Sequence, residues 1–174
     1  LHLPSYGDLT LSMWFMPDRF DYELSSLITS NHWNAGDVHW QVTRSGQVRV
    51  GLNSDGPSQS TMGDAGLDPS RWAHLVLVID REAPNGGILV TGYVNGEEAF
   101  EQGYPAETRF KFGDCRLGNW LKDPEWNRQP KRALRGRVDE LTIWGRPLSG
   151  EEVADLTRSG QPSALWKEQG SLTN

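Results

Sequence analysis

The chain has 174 residues, 17 basic and 23 acidic side chains and a net charge of -6, which suits one domain with a core of its own. That charge balance argues against a nucleic-acid partner, since phosphate recognition needs a basic patch. One dense basic cluster stands out, Lys131, Arg132, Arg135 and Arg137, and so small a cluster reads as a solvated face. No apolar run approaches the ~20 residues of a membrane-spanning helix, so no membrane insertion is expected. A single cysteine, Cys115, excludes an internal disulfide and reads as a small core residue. The chain opens at "LHLPSYGDLTLSMWF" without an initiator Met, as a piece of a longer protein would.

In chain order, "LTLSMWFM" (9–16) alternates Leu, Leu, Met, Phe on one face with Thr, Ser, Trp, Met on the other, the period of a strand. "SSLITS" (25–30) is the next strand. "DVHWQVTR" (37–44) places Val38, Trp40 and Val42 opposite Asp37, His39, Gln41 and Thr43. With the "SG" turn at Ser45–Gly46 and "QVRVGLN" (47–53) it makes a β-hairpin. The polar, Gly-rich stretch 54–68 is expected to be a loop. "WAHLVLVID" (72–80) is apolar on both faces, as a strand covered on both sides would be. Turns at 85–87 and at Asn95–Gly96 bracket "ILVTGYV", and "EEAF" follows. "CRLGNW" (115–120) is a further strand, 121–133 a long loop, and "LRGRVDELTIW" (134–144) the last strong strand.

Pro147 ends that strand. Ser149 with Glu152 three residues on forms a capping box for a short helix striped by Val153 and Leu156 and closed by Gly160 and Pro162. About ten residues of helix are not stable alone, so the helix must dock, and we expect it to plug an end or convex edge of the fold. Ten or eleven strands and one helix predict an all-β, two-sheet antiparallel sandwich. It occupies residues 1–174 as a single domain, with 162–174 as a tail or linker stub.

Four segments, in order, resemble laminin-G-like, concanavalin A-like jelly-roll domains: "LTLSMWFMP", "RWAHLVLVID", "GYVNGEEA" and the closing "LRGRVDELTIWGRPLSGEEVADL". The resemblance implies a lectin-like jelly roll and an opening strand of which "LHLPS" keeps only the end. It also implies a structural calcium held by Asp139, in the closing "VDE", together with backbone oxygens. The alternative for Asp139 is to bond nearby backbone amides at a bulge, because Val138 and Leu141 both look core-facing at a spacing that breaks strict alternation. More narrowly, "SNHWNAGDVHWQVTRSGQVRVGL" resembles the module attached to bacterial FecR-type anti-sigma regulators.

No catalytic residues are assigned. Retaining glycosidases on this sandwich carry carboxylates about 5–5.5 Å apart, whereas the acidic pairs here, Glu97–Glu98, Asp139–Glu140 and Glu151–Glu152, are adjacent in sequence, so on a strand their members face opposite ways. The four histidines, His2, His32, His39 and His74, show no zinc spacing. Eight tryptophans are many for this length. Trp14, Trp72 and Trp144 read as sheet packing, whereas Trp33, Trp120 and Trp126 stand in or beside loops among polar residues. Sugars stack on aromatic rings while amides and guanidinium groups bond their hydroxyls. The candidate patch is therefore Trp33, Trp120, Trp126, Asn31, Asn119, His39, Gln41 and Arg44, unless the loop tryptophans only cover the mouth of the sandwich. The expected function is non-catalytic recognition of carbohydrate or a protein partner outside the cytoplasm. The alternatives are a structural or regulatory attachment domain without a small ligand and, less favoured, a glycosidase or lyase.

Overall fold

The computed structural model describes residues 1–3, 7–54, 59–84, 86–120 and 132–160. Its strands are β1 (Leu9–Pro17), β2 (Leu24–Ser30), β3 (Val38–Thr43), β4 (Gln47–Leu52), β5 (Gln59–Gly66), β6 (Ala73–Asp80), β7 (Ile88–Val94), β8 (Glu97–Tyr104), β9 (Cys115–Leu117) and β10 (Gly136–Trp144), followed by helix α1 (Gly150–Ser159). They form two antiparallel five-stranded sheets, β10-β1-β6-β7-β8 and β5-β4-β3-β2-β9, the two layers of a jelly-roll sandwich. Leu1–Leu3 run along the far edge of β9, where Leu3 N–H donates to Gly113 O and Cys115 N–H to Leu1 O.

Alternation builds the core. Leu9, Leu11, Met13 and Phe15 of β1 and Leu75, Leu77 and Ile79 of β6 meet Val38, Trp40 and Val42 of β3 and Val48, Val50 and Leu52 of β4 in one buried cluster. Each such side chain contributes about 1.5–3 kcal/mol by leaving water. Asn95 and Gly96 both have positive φ (55° and 84°), as the two-residue turn between β7 and β8 requires.

Two sequence expectations are corrected. The stretch 54–68 is not loop throughout, because β5 pairs with β4 from Gln59 to Gly66. An edge strand held by its backbone needs no apolar alternation, so its sequence carries little trace of it. The helix covers the outer face of a sheet and not an end of the sandwich. Val153 and Leu156 of α1, with Leu148, pack on Val76, Val78, Tyr93 and Trp144 in a second apolar cluster, which explains why β6 is apolar on both faces. The capping box forms as the spacing predicts: Glu152 N–H donates to Ser149 Oγ at 3.2 Å and Ser149 N–H to Glu152 Oε2 at 2.9 Å. Arg146 grips the same carboxylate through both terminal nitrogens and helps hold the Glu152 pKa down to about 2.

Polar groups complete this docking. Thr10 Oγ1 donates to Arg146 O at 2.8 Å and accepts from Leu148 N–H at 3.1 Å. His74 lies between Ser12 Oγ (2.7 Å) and Thr157 Oγ1 (2.6 Å). Since the Thr157 hydroxyl donates to Val153 O, it accepts from His74 Nδ1–H, and His74 Nε2 accepts from Ser12. The tail expected at 162–174 lies outside the described residues. Thr10→Val keeps the side-chain shape but strands the buried Leu148 N–H, and is expected to destabilise the protein by about 1–3 kcal/mol, measurable by urea unfolding.

Candidate functional site

The outer face of the β5-β4-β3-β2-β9 sheet has no helix upon it among the described residues. Register places two polar rows across it. Ser26, Gln41, Arg49 and Met62 are paired in turn on β2, β3, β4 and β5, and beside them run Thr29, His39, Gly51 and Ser60. Ser26, Thr29, His39 and Gln41 are at most 1% exposed, although they point away from the sandwich core.

Part of their cover is aromatic. The Trp33 ring lies 4.4 Å from the His39 ring, tilted by 46°, and Trp120 meets His39 edge-on at 5.0 Å. Asn53 Nδ2 donates to Trp33 O and fixes that loop. Gly51 leaves room for the Arg49 guanidinium: a Cβ there would stand 3.0 Å from Arg49 Nη2, and in ordinary contact, at 3.4 Å, with Trp33 Cη2. Arg132 lays its guanidinium over the Trp120 ring at 4.3 Å, worth about 0.5–2 kcal/mol, while its backbone carbonyl accepts from Ser26 N–H.

His39 is held neutral here. Its Nε2–H donates to His32 O at 3.1 Å, and its Nδ1 faces Arg132 Nη1 at 3.4 Å. Burial, together with the positive charges of Arg132 and Arg49, pushes its pKa down to about 3. Burial also lowers the pKa of both arginines. Three polar atoms of the site are buried without a hydrogen-bond partner among the described residues: Ser26 Oγ, Gln41 Nε2 and Trp120 Nε1. A buried orphan of this kind costs about 1–3 kcal/mol, so it calls for a reason. Beside the rows opens a groove of about 660 Å³ lined by Glu23, Thr43, Arg44, Arg49 and Met62 among others. An adjoining hollow of about 340 Å³ shares Glu23 and Leu24 with it and reaches Arg132.

Of the residues expected from sequence, Trp33, Trp120, His39 and Gln41 come together on this face, and Arg44 lines the groove. Asn31 and Asn119 use their side-chain oxygens locally, accepting from Arg116 Nε and from Trp120 N–H. Trp126 lies outside the described residues. Ser26, Arg49 and Arg132 were not anticipated. Parity on β4 puts Arg49 on Gln41's face, a signal that could have found it. Arg132 departs from the solvated face expected of its basic cluster: Arg135 and Arg137 are exposed, but Arg132 is half-buried, because the sheet and Trp120 receive it.

Asp139 lies at the bulge in β10, where the pairing with β1 shifts between Ser12 and Trp14. Its Oδ1 accepts from Glu140 N–H at 2.9 Å, and Glu140 takes φ 53°. Among the described residues no group of three or more His, Cys, Asp or Glu gathers to hold a metal. A calcium ion at Asp139 would need most of its six to eight oxygens from backbone and water.

The comparisons agree with this architecture. A laminin-G-type family model, described as the concanavalin A-like lectin/glucanases superfamily, matches residues 2–154. This chain belongs to that superfamily. No curated protein matches it. Solved structures share the fold at low identity. The CBM40 of the Ruminococcus gnavus IT-sialidase, bound to α2,3-sialyllactose, is 16% identical with a TM-score of 0.68, over 88% of this chain and 84% of that one. Domain 4 of AbnA, a GH43 extracellular arabinanase from Geobacillus stearothermophilus, in complex with arabinotriose, is 22% identical with a TM-score of 0.68, over 89% and 68%. A heptameric SAP-like pentraxin from Limulus polyphemus is 15% identical with a TM-score of 0.65, over 90% and 72%. No helix among the described residues is long and apolar enough to cross a membrane.

The two buried histidines give a pH prediction. Both are neutral when folded, His39 down to about pH 3 and His74 down to about pH 4, whereas unfolded histidine protonates near pH 6.5. Below that pH the unfolded chain binds more protons, so stability is full above about pH 6.5 and falls as the pH drops toward 4. His74→Gln should give a shallower loss between pH 6.5 and 4.5 than the wild type, read as urea midpoints.

Proposed function

We propose that this superfamily member is a non-catalytic carbohydrate-recognition module acting outside the cytoplasm, with its saccharide on the outer face of the β5-β4-β3-β2-β9 sheet. The observation that carries the reading is the pair Trp33 and Trp120, whose rings both contact His39, beside buried polar atoms that lack partners among the described residues. An aromatic ring accepts the apolar face of a sugar, and stranded amide, hydroxyl and indole groups gain by bonding its hydroxyls. The carbohydrate ligands named for two structural neighbours, sialyllactose and arabinotriose, support it by analogy of fold. Carbohydrate is favoured over a protein partner because the large exposed apolar side chains of the described residues, Leu1, Met62, Leu117 and Ile143, sit on separate elements.

A glycan array probed with the wild type should show binding, and Trp33→Ala and Trp120→Ala should each weaken it by about tenfold or more, equivalent to ~1.4 kcal/mol. Binding that is unchanged in both variants would move the ligand elsewhere, and no binding to any glycan would favour an attachment role. For the metal, thermal melts with and without EGTA are expected to coincide, and a lower midpoint with chelator would establish a stabilising ion.

A further inference from the structure

Among the described residues, the arginines of the site lack the carboxylate partners that half-buried cations normally have. The backbone sets out a row in which the Arg132 carbonyl bonds Ser26, Ser26 pairs with Gln41, and Gln41 pairs with Arg49. With neighbouring strands ~4.8 Å apart, the two arginines stand at the ends of this row, and their side chains lean toward the neighbouring row that holds His39 and Gly51. Arg132 Nη1 reaches 3.4 Å from His39 Nδ1. Arg49 Nη2 lies over Gly51, the residue paired with His39. The two guanidinium groups thus converge over adjacent positions of neighbouring strands. Neither has a carboxylate within 4 Å among the described residues: the ion pairs there include those of Arg19 and Arg135 with Asp21, Arg71 with Asp68, Lys111 with Asp37, Arg146 with Glu152 and Arg158 with Asp155. Glu23, exposed in the groove, is the acidic group facing both from a distance. Neutral His39 between them supplies no negative charge. In the row between the two arginines Gln41 Nε2, a donor, is buried without an acceptor among the described residues.

We propose that Arg49 and Arg132, with the amide of Gln41, form a subsite for the carboxylate of an acidic saccharide. This rests on the carbohydrate reading above and narrows it to a chemical class. Two convergent guanidinium forks suit the planar, four-lone-pair geometry of a carboxylate. Such a group would relieve the repulsion between two half-buried cations and give Gln41 its missing acceptor. Trp33 and Trp120 then flank the sugar ring, and the shared groove leaves room for further residues of the glycan. Glu23 opposes the bound anion, so removing its charge should strengthen binding.

The test is calorimetric titration of the whole chain with two acidic probes, α2,3-sialyllactose and trigalacturonate, against their neutral counterparts lactose and galactotriose. At least one acidic probe should bind about tenfold or more tighter than its counterpart, and which one binds separates a sialic from a uronic acid. That advantage should shrink as salt rises from about 0.05 to about 0.5 M. Arg49→Gln and Arg132→Gln should each remove about tenfold or more of the affinity for the acidic probe, and Glu23→Gln should increase it. Arg49→Lys, which keeps charge but loses the fork, should fall between. Binding of neutral sugars as tight as acidic ones, or acidic binding indifferent to both arginines, would overturn the subsite while leaving saccharide recognition standing. Absence of binding to any of these probes and to a full glycan array would remove both. Should a Gln variant fail to fold, the wild-type comparison of acidic with neutral probes still decides.

Discussion

Strand β3 is buried on both faces, and the rest of the molecule is arranged around that constraint. Val38, Trp40 and Val42 face hydrocarbon, which satisfies them by exclusion of water. His39 and Gln41 face the other way and are just as inaccessible, yet they carry groups that lose hydrogen bonds when dried. The protein answers with His32 O for one imidazole nitrogen, Arg132 for the other, and tryptophan rings on the imidazole itself. Gln41 Nε2 receives no such answer. A polar layer that is dry and only partly satisfied is costly in a static scaffold. It is useful where a ligand completes it.

The two outer faces of the sandwich make this contrast concrete. On the β10-β1-β6-β7-β8 sheet, α1 closes an apolar cluster of Val76, Val78, Leu148 and Val153, and the polar groups in reach, Thr10, Ser12, His74 and Thr157, form a chain of partnered donors and acceptors. That face is finished. Among the described residues the opposite sheet bears two arginines without a carboxylate within 4 Å, stranded polar atoms and a groove alongside. Because jelly-roll sandwiches host many activities, it is this difference between faces, more than the fold, that supports the recognition surface we propose.

The fold was readable because its determinants are local and periodic. Leu9–Pro17 and Val38–Thr43 alternate so regularly that which face turns inward follows from counting by two, and Ser149 with Glu152 announces the helix start three residues ahead. The bulge near Asp139 was also foreshadowed, since Val138 and Leu141 both join the core at a spacing strict alternation forbids. β5 escaped because an edge strand is held by backbone bonds and exposes its side chains. The helix was seen but misplaced: its apolar stripe requires a dock without saying which one.

The site divides in the same way. Sequence determined that tryptophans would border loops, that His39 and Gln41 would share a face of β3, and that the protein would be a two-sheet sandwich, because these follow from residue type and a period of two along one strand. Only the tertiary structure decided that Arg132, more than ninety positions from His39 along the chain, leaves the solvated cluster its neighbours suggest and lies on Trp120. It alone decided, too, that Arg49 turns its guanidinium toward the same spot. Pairing between strands distant in sequence sets those meetings, and the free energy of burying a cation depends on what surrounds it, which no local pattern of residues records.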